Sequence, residues 1–345
     1  TGATIGKAGR YQFDEKGSLN QRVCKFVPFK IYADYFWFIL KSEQYAEHIK
    51  LTGFGGAQPN ISDVQLLDFH FALPPLPEQQ AIAAFLDRET GRIDALIAKK
   101  ERLLELLAEQ RTALISRAVT KGLDASVKLK PSGVEWLGDV PEHWEVKKLK
   151  HIASRITKGT TPSTLGKEFT DEGILFLKVE SISDKMSIID EMCVHIDSET
   201  HQLLSRSRLR ENDVVLSIAG AIGRTAIIRK ENLPANTNQA LSIISPKLHR
   251  ASPKWICYSA NGKYFTTSLS IDTVKTAQEN VSLDTISNSV ILLPPLPEQQ
   301  AIAAFLDRET AKIDALSSKV TAVIERLKEY RTALISSAVT GKIDV

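Results

Sequence analysis

Apolar residues recur at helical spacing along one long stretch: Ile82, Leu86, Ile93, Ile97, Leu104, Leu107, Leu114 and Ala118. Intervals near three, four and seven line one face of a helix. Pro74, Pro75 and Pro77 forbid a helix upstream and suit the first helical turn, where a missing N–H costs nothing. Glu78 then sits near the positive end of the helix dipole. From Glu78 to about Val119 there is no proline, and the sole glycine is Gly91. Lys100 and Arg111 interrupt the stripe. The pattern predicts a helix of about forty residues, ~60 Å long at about 1.5 Å per residue.

The same stretch occurs twice. Leu73–Thr90 returns letter for letter as Leu293–Thr310, displaced by 220 residues (293 less 73). Arg111–Ser116 reappears as Arg331–Ser336, and Ala57, Gln58 and Asn60 as Ala277, Gln278 and Asn280. In the second copy the stripe reads Ile313, Ser317, Val320, Ile324, Leu327, Arg331, Leu334 and Ala338. Two copies so long and so far apart do not make a solenoid. A helix of this length outruns the width of its own domain, so its stripe needs another helix as cover. The expectation is an antiparallel coiled coil of the two copies, with Ile93, Ile97, Leu104, Leu107 and Leu114 against Ile313, Val320, Ile324, Leu327 and Leu334. The competing expectation is that each helix lies on its own globular domain.

The remaining patterns predict an α+β protein, with globular mixed domains separated by the two long helices. Residues 1–72 read as a short globular piece, 73–121 as the first helical region, 122–130 as a polar linker, 131–292 as a complete domain and 293–345 as the second helical region. Ile31–His48, with Tyr32, Tyr35, Phe36, Phe38, Ile39 and Leu40, reads as one amphipathic helix whose counterpart is Pro253–Leu269. Residues 1–72 thus match only the latter part of 131–292, and about eighty residues of a complete repeat are expected before Thr1. Strand-like runs are Ile174–Val179, Asp213–Ala219, Thr225–Arg229 and Ala240–Ser245, with Thr157–Pro162 as a loop.

Composition changes this picture little. Of the 345 residues, 43% are hydrophobic and 25% charged, as in an ordinary soluble globular protein. No apolar run is long enough for a membrane span. Cys24, Cys193 and Cys257 fit neither a disulfide framework nor a zinc spacing, which points to a reducing cytoplasm. The net charge of +3 permits nucleic-acid binding without demanding it.

The chain carries no HExxH, CxxC, GxGxxG or GxSxG. Thr1–Lys7 lacks P-loop spacing, Gly53–Gly56 reads as a turn, and the histidines show no ligand-like clustering. No Asn/Asp-Pro-Pro-aromatic motif of an adenine methyltransferase is present. The polar residues of the larger domain suit binding. Lys158, Thr160 and Thr161 supply a cation and hydroxyls on flexible backbone, the groups that grip phosphates, and Lys178 is added as a cation. Arg206, Arg208 and Arg210 alternate, so they share a face if that segment is extended. Arg224, Asn236, Asn238, Gln239 and Gln278 can pair with base edges. Thr4–Lys7 parallels Ala221–Arg224, and Asn20-Gln21 parallels Asn238-Gln239, so Lys7, Gln21 and Gln58 are the matching candidates in the first piece. No catalytic residue and no metal ligand is expected.

Three signatures resemble the specificity subunit of type I restriction–modification systems. They are LPPLPEQQAIAAFLD before a long helix, twice; PSGVEWLGDVPEHWEVKKL opening a domain; and Gly-Ala-Ile-Gly-Arg followed by Asn-Thr-Asn-Gln. The resemblance implies target-recognition domains that each read half of a split site in double-stranded DNA, held apart by helices that dock methylation subunits. It implies S-adenosylmethionine and ATP on partner subunits, translocation and cleavage by restriction subunits, and no catalysis by this chain. Set against that family, the first recognition domain begins near its middle. The alternative is therefore a truncated or half-type subunit that reads one half-site and takes a second specificity chain to complete recognition. A methyltransferase and a coiled-coil scaffold without DNA contact are rival functions. The missing catalytic motifs count against the first and the large strand-rich domain against the second.

Overall fold

A computed structural model describes residues 6–11, 17–20, 23–52, 61–276 and 281–345. In chain order the helices are α1 (Ala33–Leu40), α2 (Glu43–Thr52), α3 (Asp63–Leu67), α4 (Leu76–Lys121), α5 (Leu149–Ile152), α6 (Ser198–Leu203), α7 (Pro253–Asn261), α8 (Lys263–Thr276), α9 (Leu283–Asn288) and α10 (Leu296–Val339). The strands are β1 (Leu129–Pro131), β2 (Asp139–Pro141), β3 (Glu145–Lys148), β4 (Ala153–Lys158), β5 (Ile174–Leu177), β6 (Val194–Ile196), β7 (Val214–Ser217), β8 (Thr225–Ile227), β9 (Ala235–Thr237), β10 (Leu241–Pro246) and β11 (Val290–Leu293). The chain divides into two compact units, Thr1–Leu106 with Ala315–Val345, and Leu107–Asp314.

The two long helices run 46 and 44 residues and begin among the prolines. In the first unit, Ile82, Ala83 and Leu86 near the start of α4 pack with Ile335, Ala338 and Val339 near the end of α10, around Tyr35, Phe38 and Ile39 of α1. In the second unit, Ile115, Ala118 and Val119 near the end of α4 share a core with Ile302, Ala303 and Leu306 near the start of α10. Start meets end in both, which is antiparallel pairing. Each of these large apolar side chains contributes about 1.5–3 kcal/mol when fully buried. Ile93, Leu107, Val320 and Ile324 are buried, while Ile97, Leu104, Leu114, Ile313, Leu327 and Leu334 are half-buried. Ile115 and Ile335, beside the expected Leu114 and Leu334, go deeper, at 1% exposed.

The arginines that interrupt the stripe have partners. Arg331 Nε lies 2.8 Å from Asp94 in the first unit. Arg111 Nε lies 3.4 Å from Asp314 in the second. The two pairs are the same pair with the copies exchanged.

Ile31–His48 is not one helix. α1 ends at Leu40, and Ser42 starts α2: its hydroxyl donates to Ile39 O at 2.7 Å and accepts from the Tyr45 amide at 3.3 Å. The counterpart breaks at the corresponding Gly262, between α7 and α8. There a Cβ would lie 2.8 Å from Val119 Cγ2, so α4 passes close and a larger residue would have to displace that side chain.

The strands of the second unit form an antiparallel sheet in the order β4-β10-β7-β8, a three-stranded sheet β6-β5-β9 with β5 and β9 parallel, and the ribbons β1-β2 and β11-β3. Three of these, β5, β7 and β8, lie inside the expected runs and are shorter, while β10 is displaced by one residue and ends at Pro246. Thr157 and Lys158, expected in a loop, complete β4. Trp144 and Trp255, both fully buried, meet edge to face at 5.7 Å in the main core.

Candidate nucleic-acid interface

Pairing in the four-stranded sheet decides which loops meet. Lys158 at the end of β4 is opposite Ser242, Leu241 at the start of β10 is opposite Ser217, and Leu216 is opposite Thr225. The segment after Lys158, the turn before Leu241 and the hairpin between β7 and β8 therefore gather at one end of the sheet. The Gly159 amide donates to Leu241 O at 3.2 Å and the Thr160 amide to Thr237 O at 3.0 Å. A Cβ on Gly159 would lie 2.0 Å from Thr237 O, so only glycine permits this approach. Thr161 Oγ1 donates to Gln239 Oε1.

The parallel pairing of β5 with β9 adds Lys178. Thr237 Oγ1 and the Asn238 amide both donate to Leu177 O, at 3.0 and 3.3 Å. Lys178, next in the chain, places its Nζ 4.6 Å from the ring centre of Phe169. Arg206 arrives from a different segment, with its Nε donating to Thr157 Oγ1 at 3.0 Å. Lys158, Thr160, Thr161, Lys178, Arg206, Asn238 and Gln239 are thus brought to one end of the sheet. Among the described residues, Lys158, Lys178 and Arg206 form no ion pair, so their charges are not neutralised locally.

Other candidates are engaged elsewhere. Arg224 reaches the same end on the β7–β8 hairpin, but its Nε lies 2.9 Å from Asp184. The alternating arginine strip does not exist, because Ser205–Ser207 is a turn of 3-10 helix rather than extended chain. The Arg208 guanidinium turns back onto α6, donating to His201 O at 3.1 Å and Gln202 O at 3.2 Å. Arg210 is exposed beside Asp213, which precedes the opposite end of β7. Asn236 is fully buried, its Nδ2 donating to Leu204 O at 3.0 Å and Ser207 Oγ at 2.9 Å, so it offers nothing to a base. Lys7 is exposed in the first unit, after Gly6, whose φ of +82° parallels the +96° of Gly223 before Arg224. Gln21, Gln58 and Gln278 lie outside the described residues, as do Gly53–Gly56.

One brace escaped sequence reasoning. Arg155 Nη2 lies 2.6 Å from Asp213 Oδ2, and Ser245 Oγ donates to Asp213 Oδ1 at 2.5 Å. The same guanidinium donates twice to Arg208 O, at 3.2 Å. This buried group ties the loop that carries Arg206 to β4 and β10. Its members are 58 and 32 residues apart, with no local signature.

Cations without local counterions thus stand beside hydroxyl and amide side chains on strand-borne loops, groups that suit contact with a phosphate backbone. Among the described residues no group of His, Cys, Asp or Glu could hold a metal ion, and no helix is long and apolar enough to cross a membrane. Residues 1–106 and 141–326 match the family described as the type I restriction modification DNA specificity domain, and the chain belongs to that family.

Relatives agree. The chain is 25% identical over 339 residues to the type I restriction enzyme EcoBI specificity subunit of Escherichia coli, covering 95% of this chain and 70% of that one. It is 26% identical over 344 residues to the MjaVIII specificity subunit of Methanocaldococcus jannaschii, covering 98% and 77%. A chain from a solved structure concerned with complex assembly and conformational transition of the type I R-M system superposes with a TM-score of 0.70. That chain is 17% identical, with 91% of this chain and 72% of that chain covered, and it establishes the shared fold.

Proposed function

We propose that this chain is the DNA-sequence-recognition subunit of a type I restriction–modification complex. Residues 131–292 act as a target-recognition domain for one half-site, and 1–72 as the latter part of another. The observation that carries this reading is the sheet end where Lys158, Lys178 and Arg206 stand without carboxylate partners beside Thr160, Thr161, Asn238 and Gln239. The cations suit phosphates, and the amides suit base edges. Arg224 joins them if DNA phosphate displaces Asp184. Arg210, Lys7, Gln21, Gln58 and Gln278 are weaker members of the set.

The helical regions 73–121 and 293–345 set the distance between half-sites and dock methylation subunits. The 46 residues of α4 span about 69 Å at about 1.5 Å per residue, roughly 20 base pairs at about 3.4 Å each. The chain performs no catalysis of its own and works in the cytoplasm. S-adenosylmethionine and ATP belong to the methylation and restriction subunits.

Reconstitution with methylation subunits, followed by genome-wide mapping of methylated adenines, tests this reading. A defined sequence motif that changes when residues 131–292 are exchanged for those of a relative is the expected result. Methylation without sequence preference, or a motif indifferent to the exchange, would reject it.

A further inference from the structure

Four cations reach the sheet end proposed for DNA, and one of them comes with a carboxylate. Among the described residues Lys158, Lys178 and Arg206 form no ion pair, whereas Arg224 Nε lies 2.9 Å from Asp184 Oδ1. The Asp184 side chain is 82% exposed and that of Arg224 35%. An acid so exposed supports no core.

Both partners are set by hydrogen bonds of their own loops. Asp184 stands on a tight loop closed by the bridge between Ile182 and Ile188. The Ser183 amide donates to Ser187 O at 2.9 Å, and Ser183 Oγ accepts from the Lys185 and Ser187 amides, both at 3.2 Å. At the foot of the loop, Ile182 O accepts from Arg224 Nη1 at 3.4 Å. On the other side, the Arg224 amide donates to Ser217 Oγ and the Ser217 amide to Arg224 O, each at 2.8 Å. The Ile218 amide donates to Ala240 O at 2.9 Å, which ties the hairpin to the turn carrying Asn238 and Gln239.

A carboxylate and a phosphodiester present a guanidinium with the same chemistry, oxygen acceptors bearing one negative charge. An exposed pair of this kind is weak, and Asp184 returns to water when displaced. A phosphate takes its place only by direct contact with Arg224. DNA held loosely by Lys158, Lys178 and Arg206 leaves the pair intact and meets Asp184 as a like charge.

We propose that Asp184 is a specificity-determining residue, which occupies Arg224 until a closely seated duplex supplies a phosphate. The inference rests on the recognition function proposed above. Poorly matched DNA then gains one contact fewer and faces one repulsion more, while the matched site recruits Arg224. Discrimination by a repulsive element costs the right partner little and the wrong one more.

The test uses the chain reconstituted with methylation subunits and two duplexes, one carrying the motif mapped by methylation and one with that motif scrambled. Affinities are titrated over a range of salt. Asp184→Asn keeps the shape of the side chain and removes its charge. It should tighten binding to the scrambled duplex on the order of threefold. The salt slope of that duplex should steepen by about 0.9, one further phosphate, with the slope of the motif duplex unchanged. Arg224→Ala should flatten the slope of the motif duplex alone. In that background Asp184→Asn should leave the slope of the scrambled duplex as it was. An unchanged scrambled duplex in the single variant overturns the proposal. So does an equal effect on both duplexes, or the same effect without Arg224, since Asp184 would then act only through general charge. A parental complex that does not prefer the motif duplex overturns the recognition reading itself, and this inference with it.

Discussion

The backbone amide of Glu43 donates to Ser336 Oγ at 2.9 Å, across 293 residues of sequence. Lys263 does the same with Ser116 Oγ at 3.0 Å. Each amide opens a helix, α2 or α8, and each serine lies near the far end of the long helix from the other copy. The repeat therefore builds its two units by exchange, each capping helix resting on the other copy's rod. Ser336→Ala and Ser116→Ala should each lower stability by about 1 kcal/mol, the usual worth of a cap hydrogen bond. Urea unfolding of each variant checks this, and a pair of null effects would show these contacts to be incidental.

The reciprocal ion pairs should differ in strength. Arg331–Asp94 has side chains 32% and 52% exposed, whereas those of Arg111–Asp314 are 21% and 24% exposed. Solvent screening holds the first near the surface range of about 0.2–1 kcal/mol. Double-mutant cycles should give a larger and less salt-sensitive coupling for Arg111–Asp314.

The neighbouring arginines should separate into two phenotypes. Arg206→Ala should weaken DNA binding by the reconstituted complex and reduce the salt slope by about one counterion. Arg208→Ala should leave the slope nearly unchanged and lower the melting temperature, because its guanidinium serves the carbonyls at the end of α6. Equal loss of slope in both variants would contradict this assignment.

Gly159→Ala should be more damaging than its exposed neighbours suggest. The added carbon would meet Thr237 O at 2.0 Å, so the Lys158–Thr161 segment must leave the Thr237–Gln239 turn. A stability loss of at least about 2 kcal/mol is expected, with loss of DNA binding even under conditions where the fold persists. Calorimetry and a mobility-shift titration distinguish the two effects.

Thiol reactivity should follow burial. Cys257 is fully enclosed and its pKa is pushed up to about 12; Cys193 is shifted in the same direction, also chiefly by burial. A raised pKa leaves the thiol protonated, and thus unreactive, at pH 8. Exposed Cys24 should be alkylated in the native protein, and Cys257 only after unfolding. Mass spectrometry after iodoacetamide treatment reads both.

The rods, their direction and their pairing were legible because each depends on local regularity: prolines at the start, a stripe of period near 3.6, and a second copy to supply cover. Strand positions were legible where hydrophobic runs were continuous, as in Val214–Ser217. The helix break at Ser42 was not, since a serine amid aromatic residues gives no stop signal until its hydroxyl is seen bonding Ile39 and Tyr45.

For the candidate interface, the sequence by itself determined the kinds of side chain available: threonines and lysine near residue 158, amides near residue 238, arginines between 206 and 210. Only the tertiary structure decided which of them meet. Thr161 reaches Gln239 across 78 residues and Arg206 reaches Thr157 across 49, through strand pairings whose partners leave no mark on either segment alone. The same folding withdrew Asn236 and Arg208 into internal hydrogen bonds, because a buried amide or an orphan helix carbonyl satisfied within the protein is no longer free for a ligand.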